Sequence, residues 1–191
     1  MPLILASASA QRKNLLKQTH VPFRVQVSHA REETRIRTTC ADLVCRNARR
    51  KAEDVAARNK KGIVIAADSV VYLGGKKIIG KPRSLKDAKR ILNILFSQPH
   101  WVYTGVAITD AATAKTVVDY EKTKIYMARL SDAEIDRYHA RMHPLDKAGG
   151  FDIEGRGGMF IRRIEGCYTN VIGLPMAKLR LMLKQFGVAV M

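Results

Sequence analysis

Apolar positions along the chain switch repeatedly between strand-like and helix-like spacing. Leu3 to Ala6 is a short apolar run; it meets Ser7-Ala8-Ser9-Ala10 and then a polar stretch carrying Leu15 and Leu16. This predicts strand, small-residue loop and helix. Pro22 breaks the pattern, and Phe23 to Val27 alternates with period two, predicting a second strand. Leu43, Val44, Ala48, Ala52, Val55 and Ala56 recur at helical spacing between Ala41 and Ala57. Gly62 to Ala67 is an unbroken apolar run closing on Asp68, as in a buried strand with a carboxylate at its C-terminal end.

Val70 to Leu73, a Gly-Gly turn and Ile78-Ile79 predict a hairpin. Ser84, with Asp87 three residues on, caps a helix running to about Leu95. Val102 to Thr109 and Thr116 to Met127 read as paired strands of a meander. Ser131 and Glu134 form a capping box opening a helix that stops before Pro144. Gly149 to Gly158 is a glycine-rich loop and Gly166 to Pro175 a turn; Met176 to Phe186 is a last amphipathic helix, with Gly187 after it. There is no internal repeat. The alternation predicts an α/β fold with a mixed sheet.

Composition narrows the classes. A chain of 191 residues with 47% hydrophobic content can bury a core, so disorder is excluded, and a single domain over residues 1–191 is expected. No apolar run approaches the ~18 residues of a membrane span. The opening segment has no basic flank and turns polar at Ser7, so a secretory signal is not expected. Three cysteines (Cys40, Cys45, Cys167) are too few for a disulfide framework, which suits a reducing cytoplasm.

Thirty-four Lys and Arg against 17 Asp and Glu leave a charge of +17, which calls for polyanionic partners. The charge alone is split between a nucleic-acid binder and a solvated basic surface. There is no basic tail, RNP-like aromatic motif or zinc-finger spacing.

Four constellations carry candidate chemistry. In Ser7-Ala8-Ser9-Ala10-Gln11-Arg12-Lys13, small residues let the backbone approach an anion, and loop amides with a helix dipole favour phosphate. Arg12 and Lys13 oppose that dipole unless an anion compensates; the plainer reading is a serine cap with solvated charges. Asp68, followed by Gly80-Lys81-Pro82, offers a carboxylate able to bind a divalent ion or accept a proton from water; a lone Asp also caps turns. Glu32 and Glu33, with Lys51 on the next helix, are either salt bridges or hard ligands for a divalent ion carrying a triphosphate. Asp146-Lys147-Ala148-Gly149-Gly150, Ile153-Glu154-Gly155 and Gly166 to Pro175 place glycines beside polar groups, as where backbone packs on a ligand or merely turns between strands. His139 and His143 are spaced i, i+4 without the Glu of a zinc protease, and both are expected on a wet helical face; Cys40 and Cys45 lack zinc-site spacing.

Taken together, Leu5-Ala-Ser-Ala-Ser9, Ala67-Asp-Ser69, Gly80-Lys-Pro82, Thr104-Gly-Val106, Asp146-Lys-Ala-Gly149, Glu154-Gly155 and Asn170-Val-Ile-Gly-Leu-Pro175 resemble the Maf family of nucleoside triphosphate pyrophosphatases. The resemblance implies hydrolysis of a nucleoside triphosphate to the monophosphate and pyrophosphate with Mg²⁺ or Mn²⁺. It also implies a twisted mixed sheet flanked by helices, two lobes with a central cleft, and a homodimer. Asp68 falls on the family's proton acceptor, and Ser9, Arg12, Glu32, Lys51 and Lys81 on its phosphate and metal positions. With the loop neighbours Ser7 and Lys13, the expected phosphate ligands are Ser7, Ser9, Arg12, Lys13, Lys51 and Lys81, and the metal ligands Glu32 and Asp68.

Specificity falls to Gln11, Ser69 and Glu154. The family's usual Ser-Pro-Arg-Arg is here Ser9-Ala10-Gln11-Arg12, and Ser69 stands where pyrimidine-type members tend to have Thr. Glu154 resembles the branch acting on 7-methyl-GTP, whereas Asp146-Lys147 and the Tyr168-x-Asn170-Val171 pattern resemble the dTTP/UTP branch. The expected substrates are dTTP and UTP, with 7-methyl-GTP the alternative; a basic nucleic-acid-binding or cell-division regulatory protein is the alternative outside enzymes.

Overall fold

The structure, a computed structural model, describes residues 1–190. Seven strands form one sheet in the order β2-β1-β3-β5-β6-β7, with β4 paired to β3. The mixed sheet carries helices, as the sequence pattern predicts. The chain divides into two compact units, one of Met1–Ser69, Thr104–Glu121 and Gly173 to the end of the described chain, the other of Val70–Tyr103 and Lys122–Ile172.

In the first unit, β1 (Leu3–Leu5) lies parallel between β2 (Phe23–Val25) and the start of β3 (Ile63–Gly74), with Leu3 opposite both Phe23 and Ile63. Helix α1 (Ala10–Lys17) follows β1 and buries Leu15 and Leu16. Helix α2 (Cys40–Ala57) starts at Thr39, whose hydroxyl accepts the Asp42 N–H at 3.0 Å. Its stripe of Ala48, Ala52, Val55 and Ala56 packs on Ile4, Ala6, Val64, Ala66 and Ala107. Alanines on both sides let helix and sheet approach closely.

The predicted buried strand and the first arm of the predicted hairpin are one strand, β3, of 12 residues. Asp68 therefore sits in mid-strand rather than at a strand end. Period-two alternation simply runs on through Asp68 and Ser69 to Leu73, with Val71 and Leu73 in the core. The parallel pairing with β1 does end beforehand: β1 stops at Leu5, and the Ala6 N–H to Ile65 O bond (2.7 Å) is its last rung.

The second unit contains β4 (Lys77–Ile79), α3 (Leu85–Ser97), α4 (Asp132–His139), β7 (Ile161–Glu165) and parts of β5 (His100–Asp110) and β6 (Thr116–Met127). Ile91, Leu92 and Leu95 of α3, Ile135 and Tyr138 of α4, and Val102, Ile125 and Met127 of the strands form its core. Both predicted caps are present: Ser84 accepts the Asp87 N–H at 3.1 Å, and Ser131 with Glu134 closes a capping box.

Strand β7 was not predicted. Its apolar residues Ile161 and Ile164 lie three apart, and a register shift against β6 between Tyr126 and Met127 breaks the alternation. A short helix α5 (Tyr168–Ile172) stands inside the predicted Gly166–Pro175 turn, and α6 (Met176–Lys184) returns to the first unit. His139 corrects the expectation of a wet face: it is buried, its Nε2 3.2 Å from Gly150 O. Helix α4 ends there, so His143 lies beyond it, exposed.

His100, 0% exposed at the start of β5, faces the edge of Phe151 with ring centroids 5.9 Å apart. Neither ring nitrogen has a partner of hydrogen-bond geometry. Burial outweighs the help of the Gln98 and Leu95 backbone and pulls the imidazole pKa from 6.5 down to about 4. The folded ring is neutral where the unfolded chain binds a proton, so this histidine costs nothing above pH 6.5. Stability is lost as pH falls from 6.5 towards 4, by about 3 kcal/mol in all. His139, also lowered by burial, adds in the same direction. His100→Leu is expected to remove most of this acid limb, read as urea unfolding free energy at pH 7.5 against pH 5; a slope equal to wild type would contradict it.

Candidate active site

Asp68 is 6% exposed and both its carboxylate oxygens are engaged. Lys51 Nζ donates to Oδ1 at 2.7 Å and Asn47 Nδ2 to Oδ2 at 2.9 Å. Asn47 and Lys51 are one turn apart on α2, so a single helix face presents both donors. Lys51 also reaches Glu32 Oε1 at 2.6 Å, so two carboxylates share one ammonium.

The segment carrying Glu32 is held by the same asparagine. Asn47 Oδ1 accepts the Glu33 N–H at 2.8 Å, and Nδ2 donates to Glu33 O at 2.9 Å. Glu33 turns the other way, to Arg50 (2.9 Å), Arg46 (3.3 Å) and Arg37 (3.8 Å). The acidic pair is thus divided: Glu32 joins Asp68, while Glu33 is a salt-bridge residue.

Arg12 ties together the loop after β1, strand β3 and the turn before α6. Its Nη2 donates to Ser69 Oγ at 2.9 Å, Nε to Gly173 O at 2.8 Å and Nη1 to Ser7 Oγ at 3.4 Å. Ser69 Oγ lies 2.8 Å from Thr104 Oγ1. Burial lowers the Arg12 pKa, while the charges of Asp68 and Glu32 oppose the shift. Gly173, at φ 123°, turns its carbonyl onto the guanidinium in a conformation few other residues adopt. Ser9 caps α1, accepting the Arg12 N–H at 3.4 Å and donating to Gln11 Oε1 at 3.0 Å. Burial and the Asp68 charge push the Cys40 thiol up to about 12, so it stays protonated.

Ser7, Ser9, Gln11, Arg12, Glu32, Lys51, Asp68 and Ser69 therefore come together in the first unit. Lys13 goes elsewhere: it is exposed and lines an open groove of about 450 Å³ with Lys17, His20 and Val21 to Phe23. Lys81 and Glu154 belong to the second unit and are both exposed. There Gly80 O accepts the Gly149 N–H at 3.0 Å, joining the Gly80-Lys81-Pro82 bend to the glycine-rich loop. Asp152 Oδ1 accepts the Gly157 N–H at 3.0 Å and closes the turn carrying Glu154.

Sequence reading missed Asn47, and it noted Thr104 only within a matching stretch, without its contact to Ser69. The available signal was a carboxamide four residues before Lys51, on a helix face otherwise apolar.

No cluster of three or more His, Cys, Asp or Glu stands ready for a metal among the described residues. The donor set fits a weaker mode: Mg²⁺ is commonly held by one or two carboxylates plus substrate phosphates and water. Glu32 and Asp68, already converging on one cation, supply that pair.

The fold is that of a known class. The structure of the Staphylococcus aureus Ham1 protein superposes with a TM-score of 0.54 over 97% of this chain and 99% of that one, at 16% identity. Residues 2–186 match the family described as Maf-like protein, and the chain belongs to the Maf family. It is 44% identical over 185 residues to the dTTP/UTP pyrophosphatase of Pelotomaculum thermopropionicum, covering 97% of this chain and 96% of that protein. To the dTTP/UTP pyrophosphatase of Bacillus cereus strain B4264 it is 43% identical, over 98% of this chain and 97% of that protein.

Proposed function

We propose that this protein hydrolyses dTTP and UTP to the monophosphate and pyrophosphate, with Asp68 as proton acceptor. The observation that carries the chemistry is the buried Asp68, held at both oxygens by Lys51 and Asn47 and facing Glu32 across a shared ammonium. The choice of substrate follows its full-length relatives.

In this reading, water attacks the α-phosphorus: a new O–P bond forms, the bond to the bridging oxygen breaks, and pyrophosphate leaves with the electron pair. Asp68 takes the water proton on a lone pair left unused by Lys51 and Asn47. Arg12, with Ser7 and Ser9, offers donors for the phosphates, and Lys51 and Lys81 supply further positive charge. Mg²⁺ or Mn²⁺, held by Glu32 and Asp68, offsets triphosphate charge when bound. Asn47 is a positioning residue, fixing Asp68 and the Glu32 segment together.

Gln11, Ser69 and Glu154 select the base. Glu154 favours a second reading, 7-methyl-GTP, because a carboxylate accepts from both the N1–H and the amino group of guanine. A single family domain acting in the cytoplasm as a homodimer completes the proposal; three free cysteines support a reducing compartment.

Pyrophosphate release with Mg²⁺ or Mn²⁺ across dTTP, UTP, CTP, 7-methyl-GTP and the purine triphosphates tests it. The expected kcat/KM for dTTP and UTP is at least about tenfold above the others. Preference for 7-methyl-GTP would shift the substrate to the second reading, and no turnover of any would overturn both.

A further inference from the structure

The turn carrying Glu154 is exposed at Glu154, Gly155 and Arg156, yet it is fastened to a buried hydroxyl. Tyr138, in the last turn of α4, is 6% exposed and packs edge-on against Phe160 with ring centroids 5.0 Å apart. Its hydroxyl accepts the Asp152 N–H at 3.0 Å and donates to Asp152 Oδ1 at 3.2 Å. The same Oδ1 accepts the Gly157 N–H at 3.0 Å, so one carboxylate oxygen links the helix to both ends of the turn. Each bond has a fixed direction: an amide only donates, a carboxylate only accepts, and burial raises the phenol pKa so that its proton stays on. The turn has no slack, since a Cβ on Gly157 would collide with Asp152 O and one on Gly155 would stand 2.9 Å from Asp152 Oδ2. Tyr138, Asp152, Gly157 and Phe160 all belong to the second unit.

We propose that Tyr138 is a positioning residue for base selection, its hydroxyl holding Asp152 and thereby the turn that presents Glu154; the inference rests on the role given to Glu154 above. Packing alone does not call for the oxygen. A phenylalanine would meet Phe160 in the same way, and a hydroxyl withdrawn from water costs free energy unless it is bonded. Residues 154–156 bury no apolar group in return. What the hydroxyl adds is a fixed place for Glu154 against the core of its own unit. A carboxylate held in place before its ligand arrives loses less loop and side-chain freedom on binding, so the benefit falls on affinity rather than on the chemical step.

Tyr138→Phe keeps the ring packing and removes only the oxygen, and the half-buried Asp152 can turn to water, so the fold is expected to hold. Amides 153–157 are expected to exchange with deuterium about tenfold faster than in wild type, with those of α3 unchanged. In dTTP turnover, Tyr138→Phe is expected to raise KM about fivefold with kcat within about twofold, and Glu154→Ala to raise KM about tenfold. The double variant is expected at about tenfold rather than about fiftyfold, because Tyr138 acts through Glu154. Asp152→Asn keeps an oxygen that accepts both the Tyr138 O–H and the Gly157 N–H, and its KM is expected within about twofold of wild type. Unchanged exchange or unchanged KM in Tyr138→Phe, or additive effects in the double variant, overturns the proposal. If Glu154→Ala raises KM and Tyr138→Phe does not, only the positioning role of Tyr138 falls. If Glu154→Ala leaves KM unchanged, Glu154 does not read the base, and the role of Tyr138 in selection falls with it. If wild type hydrolyses no triphosphate, the activity proposed above falls, and exchange still decides whether Tyr138 holds the turn.

Discussion

Asp68→Asn is expected to lower kcat/KM for pyrophosphate release by about 10³-fold or more while leaving the protein folded. Asparagine matches aspartate in shape but cannot accept a proton at neutral pH, and loss of a general base with its local charge costs on this scale. The surrounding bonds make the substitution informative. Asn47 cannot reverse its amide to suit a new neighbour, because its Oδ1 holds the Glu33 N–H and its Nδ2 the Glu33 carbonyl. An amide at position 68 must therefore place its own NH₂ against either Asn47 Nδ2 or the Lys51 ammonium, both donors. One hydrogen bond is lost either way, about 1–3 kcal/mol at a buried position. Lys51 keeps Glu32, so the cluster loosens without collapsing. Turnover measured alongside thermal melting separates the two effects, and a variant within about threefold of wild type would remove Asp68 from the reaction.

The elements with strong periodicity were legible in the sequence: α2 from its alanine and valine stripe, α3 and α4 from their caps, β1 and the start of β3 from unbroken apolar runs. The failures share a cause, that pairing across strands is not encoded locally. Ile161 and Ile164 make a strand only because β6 shifts register opposite them, and Asp68 lies in mid-strand because alternation continues past a carboxylate. Among candidate site residues, Asp68, Lys51, Glu32 and Arg12 were visible as charges in apolar or glycine-rich settings, and the structure brings them together. Asn47 was not, since an asparagine within a helix announces nothing until its partners are placed. The division of Glu32 from Glu33 was equally hidden: both spacings were open, and arginines one turn apart on α2 decide which acid they take.

Gly105→Ala is expected to be the most damaging single-methyl change in the first unit. Gly105, buried in β5, lies against the backbone of α2: an added Cβ would stand 2.3 Å from Val44 O, 2.4 Å from Val44 C and 2.7 Å from Cys45 N. No flexible side chain can yield there, so helix and strand must separate by roughly 1 Å to restore an ordinary contact. Overpacking of this kind costs about 3 kcal/mol, or about 6 °C or more in Tm for a chain of this size. The functional effect follows from what α2 carries. Val44 is one turn before Asn47 and two before Lys51, so a displaced helix withdraws both donors from Asp68. A 1 Å misplacement of positioning groups can cost about 10²-fold in rate. Gly80→Ala is the matched control for stability, since a Cβ there meets nothing within 4 Å. If Gly105→Ala melts within about 2 °C of wild type and turns over normally, α2 is not held to the sheet by this contact, and the close approach of Asn47 and Lys51 to Asp68 must be fixed instead by the Glu32–Glu33 segment they share.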